Sequence, residues 1–391
     1  MTTHSWWLRR LAALSLLLVI TGTFVLFRPT NANAMGVDLR ARSWEHSSGI
    51  AQREVQNAEP ALDLHAISQS AQTGQTASQG SWRKAIATIP FWSSSFSYQG
   101  TTYPFSMVGK NPAQGSSLSV VPVFLIPVKL ILADGSVYDG TTKADATSSS
   151  PIFRAAQFNS GFTQYGDAIQ RAEFWNSVST KSPFYHVWLA PPQRFPTLTL
   201  NVPANKGQLL ILRSGKVVAG VDINYLDDQF QLYMTTYHIS PWALPIFLTA
   251  NTFGLDGGAC CIGGYHSAIE NSSHTAIQTY IYAEYGDLGL STTDPTLFAN
   301  TDALSHETAE WFNDPFTDNM VPSWSVPSQP QYGCSQFLET GDPLVGVGFN
   351  VNGYHLQDEA FFSWFARQSS SIGIGGRYTY LGSFDTFSPG C

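Results

Sequence analysis

In the first half of the chain, apolar residues gather in short runs and alternations of strand type. In one segment of each half they also recur at helical spacing. Residues 120–132 form a long apolar run containing Pro122 and Pro127, followed by an Asp134-Gly135 turn and Val137-Tyr138, and together these predict a β-hairpin. The prolines place part of that run at a sheet edge or a bulge, because neither can donate to a ladder. Residues 197–202, 209–213 and 216–221 continue the strand pattern, the last two joined across Ser214-Gly215. Residues 279–285 alternate with aromatics and predict another strand, while residues 167–175 predict an amphipathic helix. The expected fold class is α+β, β-rich in its N-terminal half.

The pattern before residue 82 is of a different kind. Arg9 and Arg10 precede an apolar stretch over residues 11–27, and Ala32-Asn33-Ala34 is a small-residue cleavage pattern. Residues 1–34 are therefore expected to be a signal peptide, or an N-terminal anchor if retained, since the apolar stretch is just long enough to span a membrane. No later run is long enough. Residues 35–81 are polar, with a low-complexity Ser-Gln-Ser-Ala-Gln-Thr-Gly-Gln tract, and read as a linker or pro-like segment. A β-rich region over 82–225 and a metal-site region over 226–391 follow.

Charge sharpens the picture. Only 12% of the 391 residues are charged, and the formal net charge of -8 with no basic stripe argues against nucleic acid as a partner. Between Lys216 and Arg367 there is no lysine or arginine, yet that span holds seventeen Asp and Glu residues. Asp227, Asp228, Asp256 and Asp287 read as turn, cap or surface groups. Where other carboxylates converge, a bound cation is the natural counter-charge.

The segment that concentrates them is 304–315. Thr301 or Asp302 can cap its start, and Pro315 disfavours helical geometry at Asp314 and ends it. At about 100° per residue, Ala303, His306, Glu307, Glu310 and Asp314 share one arc, and Leu304, Thr308, Trp311 and Phe312 occupy another that belongs to the core. The alternative is an acidic, solvated face with a surface histidine. His306 and Glu310, one turn apart, point to a common site, as in H-E-x-x-H zinc helices. Glutamate in place of the second histidine keeps a zinc-compatible ligand and makes the site harder, so calcium or manganese become competitors.

Further candidates flank this helix. Glu339-Thr340-Gly341-Asp342-Pro343 offers Glu339 or Asp342 as a third ligand, or else simply a turn before Pro343. His266, in the glycine-rich loop Cys260-Cys261-Ile262-Gly263-Gly264-Tyr265-His266, is a ligand, a substrate contact or a packed residue; His355 is a weaker candidate. The expected metal ligands are thus His306, Glu310, Glu339, Asp342, Asp314 and His266, with zinc as the expected ion. Glu307, adjacent to a ligand, is the candidate general base for a metal-activated water. Cys260 and Cys261 are expected to pair with Cys334 and Cys391 rather than with each other, or to remain in part as buried thiols.

The block His306-Glu307-Thr308-Ala309-Glu310, Asn313-Asp314-Pro315 and Glu339-Thr340-Gly341-Asp342 resembles the pattern of the Exordium or phosphate-induced protein family. Tyr354-His355-Leu356-Gln357-Asp358-Glu359-Ala360-Phe361 is similar to that family's terminal Y-x-x-Q element, and Gly264-Tyr265-His266 to an upstream glycine-aromatic-histidine element. The resemblance covers roughly residues 255–365 and implies an extracellular or wall setting. The H-E helix also resembles, more distantly, that of the zincin metallopeptidases, which implies a zincin-like α+β region; Glu310 stands where zincins have a histidine. The expected function is an exported, peptidase-like hydrolase acting on an extracellular protein, peptide or cell-wall substrate, with a membrane involved only if the leader is retained. The alternative is a non-catalytic extracellular protein with a structural metal. A carbohydrate-binding surface, suggested by eleven tryptophans, is a third reading.

Overall fold

The computed structural model of the protein describes residues 87–271, 274–291, 295–325, 334–369, 374–384 and 386–387. The expected leader (1–34) and polar linker (35–81) lie outside the described residues. Helices and strands are mixed in one α+β architecture.

The chain opens with the antiparallel hairpin of β1 (Phe91–Tyr98) and β2 (Thr101–Val108). Next come β3 (Leu118–Val121) and β4 (Val123–Ile131), and then β5 (Val137–Asp139) folds back on β4 through the expected turn. Short elements follow: α1 (Ala144–Ser148), the hairpin β6 (Ala156–Phe158) and β7 (Gly161–Thr163), α2 (Tyr165–Glu173), α3 (Trp175–Thr180), β8 (His186–Leu189), which pairs with β3, and β9 (Gln193–Arg194). β10 (Leu198–Asn201), the hairpin β11 (Gly207–Ile211) with β12 (Val217–Asp222), and α4 (Ile223–Thr236) lead into β13 (Leu244–Ala250). β14 (Thr252–Asp256), β15 (Ala259–Ile262), β16 (Gly264–Glu270) and β17 (Ile277–Tyr285) precede α5 (Asp302–Asn313). The remaining elements are the pairs β18 (Met320–Ser325) with β19 (Cys334–Phe337) and β20 (Gly348–Val351) with β21 (Tyr354–Gln357), and α6 (Phe362–Phe365).

The main sheet runs in the order β10-β4-β13-β17-β16, with β5 and β9 also on β4, and so takes strands from both sides of residue 225. β10, β4, β13 and β17 are parallel neighbours, and β16 closes the row antiparallel to β17. Parallel strands covered on both faces read as near-continuous apolar runs, as in residues 244–250, all buried. Alternation within the strands divides the core in two. Ile246, Leu248, Ile281 and Ala283 pack with Leu304, Trp311 and Phe312 of α5 and with α2, whereas Phe247, Tyr280 and Tyr282 pack with Leu226, Phe230 and Tyr233 of α4. The site helix α5 therefore lies against one face of the sheet.

Two expectations are corrected here. Pro127 is at neither an edge nor a bulge: β4 is internal, and Pro127 is the last residue registered with β13, opposite Leu248, before β5 takes up the ladder from Lys129. The missing donor falls where strand partners change. Cys260 is bonded to Cys261, so neither pairs with Cys334 or Cys391. Their Cα atoms are 3.1 Å apart, closer than the usual ~3.8 Å of neighbouring residues, which lets consecutive side chains meet. Cys334 is disulfide-bonded as well, and Cys391 lies outside the described residues. Among the described residues, no helix is long and apolar enough to cross a membrane. Trp311, Trp324 and Trp364 are core residues, which takes them out of any carbohydrate-binding surface.

Candidate metal centre

α5 ends at Asn313, and its placement against the sheet buries it completely. The solvated-face alternative is thereby excluded: His306 is 9% exposed, Glu307 5% and Glu310 3%. Its start carries Thr301 at the cap without a side-chain cap bond, while the Asp302 carboxylate accepts from the Phe298 amide at 3.0 Å. Gly264 on β16 lets the helix come this close. A Cβ there would stand 2.7 Å from Glu307 Cγ and 2.8 Å from the Tyr282 carbonyl oxygen.

Three segments converge on the polar arc of α5. From β16 comes His266, on a strand rather than in the expected glycine-rich loop, with Nδ1 3.5 Å from Glu307 Oε2 and 3.6 Å from Glu310 Oε2. From the turn after β19 comes Asp342, whose Oδ1 lies 3.5 Å from His306 Nε2. His306 Nε2 is itself 3.2 Å from Glu310 Oε2 and 4.0 Å from Glu307 Oε1. From β21 comes Gln357, which the residue pattern did not assign to the site. Its Oε1 lies 3.1 Å from His306 Nδ1, and its Nε2 donates to the Gly341 carbonyl at 2.7 Å. Gly341 N in turn donates to Glu310 Oε1 at 3.1 Å.

This ring fixes the chemistry of two side chains. A carbonyl oxygen can only accept, so Gln357 holds a proton on His306 Nδ1 and makes Nε2, which faces Glu310 and Asp342, the nitrogen that would give up its proton to a cation. Glu310 has Oε1 engaged and Oε2 free for the site.

The donor atoms form two groups, His306 with Glu310 and Asp342, and His266 with Glu307 and Glu310, each lying within 4.8 Å throughout. Neighbouring separations of 3.5 and 3.6 Å exceed ordinary hydrogen-bond lengths, and the 3.2 Å between His306 Nε2 and Glu310 Oε2 lies at their upper end. They are close to the ~3.3–3.4 Å between ligand atoms held about 2.0–2.1 Å from a tetrahedral zinc. The residues present thus fit a divalent cation of nitrogen and oxygen preference.

Electrostatics point the same way. Burial alone would depress both imidazoles, but Glu307 and Glu310 at His266, and Glu310 at His306, outweigh it and hold both well above the ordinary histidine range. Burial would raise Glu310, yet the two imidazoles bring it down to about 2. Glu307, Glu339 and Asp342 are all raised, first by burial and then by neighbouring carboxylates, with the histidines offsetting only part. Elsewhere in the span without lysine or arginine, acids borrow cations from earlier residues, Asp222 from Lys206 and Asp287 from Lys143. Among the described residues, the ion-pair partners of Glu307, Glu310 and Asp342 are the two histidines alone.

The other candidates stand apart from these donor groups. Glu339 is half-buried beside them and coupled to Glu310 and Asp342 by charge. Asp314, with φ -139° and ψ 66°, has left the helical arc, and its carboxylate accepts from the Asp318 and Asn319 amides, both at 3.0 Å. His355 lies at the far end of α5, 3.5 Å from Asp302.

No family model, curated protein or solved structure matches this chain.

Proposed function

We propose that the protein is an exported metal-dependent hydrolase, peptidase-like in its chemistry, with the H-E-x-x-E helix on its sheet playing the part of a zincin helix. The observation that carries this reading is the setting of Glu307. It adjoins the His306, Glu310 and Asp342 group without belonging to it, and its burial raises its proton affinity, as a general base working near neutral pH requires. His306, Glu310 and Asp342 would hold a divalent cation, which would supply Lewis acidity toward a carbonyl and a water. Glu307 takes the proton from that water and passes it to the leaving amine. Gln357 and Gly341 keep His306 and Glu310 in place. Zinc is the proposed ion; the carboxylate share of the donor set also suits manganese or calcium. Export, and with it an extracellular protein, peptide or cell-wall substrate, is proposed from the apolar residues 11–27 and Ala32-Asn33-Ala34.

The test is Glu307→Gln. The variant should bind zinc like the parent and lose peptide hydrolysis by about 100-fold or more; undiminished turnover sinks the assignment.

One observation favours a second reading, in which the metal is structural in a non-catalytic extracellular protein. No donor in either group is more than 9% exposed, as in the closed sites of structural metals. In that case Glu307→Gln changes little, and His306→Ala lowers thermal stability in the zinc-loaded protein with no activity to lose.

A further inference from the structure

We infer that the centre has two cation seats sharing Glu310, and that a second cation, on His266, Glu307 and Glu310, arrests the reaction by taking the base. This rests on the hydrolase reading above and extends it to how the site is regulated.

The donors do not converge on one point. Each group contains one histidine, the two histidines fall in different groups, and Glu310 is the member common to both. With Glu310 Oε1 occupied by the Gly341 amide, Oε2 alone faces both imidazoles, 3.2 Å from His306 Nε2 and 3.6 Å from His266 Nδ1. A carboxylate oxygen that stands between two nitrogen donors is placed to serve two cations at once.

His266 supplies a separate argument. It is 7% exposed, and its Nδ1, the nitrogen turned toward Glu307 and Glu310, stands beyond ordinary hydrogen-bond length from both carboxylates. A buried imidazole left so poorly satisfied is costly unless something else binds it. Charge closes the case. Glu307, Glu310 and Asp342 carry three negative charges once ionised, more than one divalent cation offsets, with no lysine or arginine between residues 216 and 367 to help. A histidine in each seat selects zinc or manganese over calcium.

The two seats have opposite consequences. The first, on His306, Glu310 and Asp342, leaves both Glu307 oxygens available. The second would draw Glu307 Oε2 into coordination, and the cation's charge would lower the proton affinity of Oε1, the oxygen turned toward His306 that would accept the proton from water. Activity should therefore rise with the first equivalent of metal and fall with the second.

The experiment is a titration of the chelator-stripped full chain with Mn(II), followed by calorimetry and electron paramagnetic resonance, alongside peptide hydrolysis at each loading. Two equivalents are expected, the second producing an exchange-coupled spectrum in place of the pattern of isolated Mn(II). Saturation at one equivalent overturns the inference and leaves the hydrolase reading intact. Two coupled equivalents without hydrolysis at any loading sink the hydrolase reading and leave the two seats standing. His266→Phe, which keeps the ring volume, should bind one equivalent; if it still binds two, the second seat is misassigned. Should that variant not fold, stoichiometry and spectrum of the parent decide alone.

Discussion

His306 and Gln357 meet across 3.1 Å, Nδ1 to Oε1, from a helix and a strand that are far apart in the chain. The contact sets which imidazole nitrogen would give up its proton to a cation, so Gln357 should govern metal affinity without touching the metal. Gln357→Leu should weaken zinc binding about 10- to 100-fold, the usual effect of losing such a partner. Gln357→Glu, which can still accept from Nδ1, should lose less. Competition with a chromogenic chelator measures both; equal losses in the two variants would show that packing, not the proton on Nδ1, is at stake.

Gly341 is needed for a close approach rather than for an unusual backbone, since its φ is -83°. A Cβ at this position would lie 2.5 Å from His306 Nδ1 and 2.8 Å from its Cε1. Gly341→Ala should push the ring off Gln357, costing about 1–3 kcal/mol of stability by overpacking and lowering zinc affinity together with it. Denaturant unfolding with and without zinc reads both effects. A stable variant with parental affinity would mean that the loop yields instead.

Glu173 carries a pH dependence distinct from the centre. It is wholly buried, its Oε1 accepts from the Phe362 amide, its Oε2 has no partner, and burial pushes its pKa to about 8 from an ordinary 4.5. Below the ordinary value, folded and unfolded chains both hold the proton and stability is unaffected. Between the two values only the unfolded chain releases it, so stability falls as pH rises, by up to about 1.4 kcal/mol per pH unit, and levels off above the folded pKa. Glu173→Gln abolishes that slope. The variant's stability relative to the parent should therefore be greater at pH 8 than at pH 5, by denaturant unfolding at each pH. A difference independent of pH would show that Glu173 is ionised in the fold.

Trp311 occupies the apolar face of α5 and is fully buried. Trp311→Ala should cost about 3–5 kcal/mol, most of the margin of a typical domain. Urea unfolding followed by circular dichroism measures it; a loss under 1 kcal/mol would mean that α5 is held mainly by its polar side.

How far the centre could be foreseen depended on whether its parts were local. The start, stop and core face of α5 follow from spacing and from Pro315, and the β4–β5 and β11–β12 hairpins from their turn residues. Asp314 was misplaced on the helical arc because the same Pro315 that ends the helix swings it away. Gly263 and Gly264 look like a turn and so point to a loop at His266, whereas Gly264 makes room for Glu307. Gln357 carried no local signal, since its role exists only after β21 is laid beside α5. Pro127 was put at an edge because a change of strand partner inside a sheet leaves no mark on a linear pattern, and the Cys260–Cys261 bond was missed because neighbours in a strand normally face opposite ways.

The absence of lysine and arginine between residues 216 and 367 has a practical side for the protein chemist. β16, α5, the turn bearing Asp342 and β21 all lie between the same two tryptic cleavage points, Lys216 and Arg367. Complete tryptic digestion of the unfolded chain releases every candidate ligand on a single long peptide. Labelling of His266, Glu307 or Asp342 would be located only after a second protease that cuts at acidic or aromatic residues.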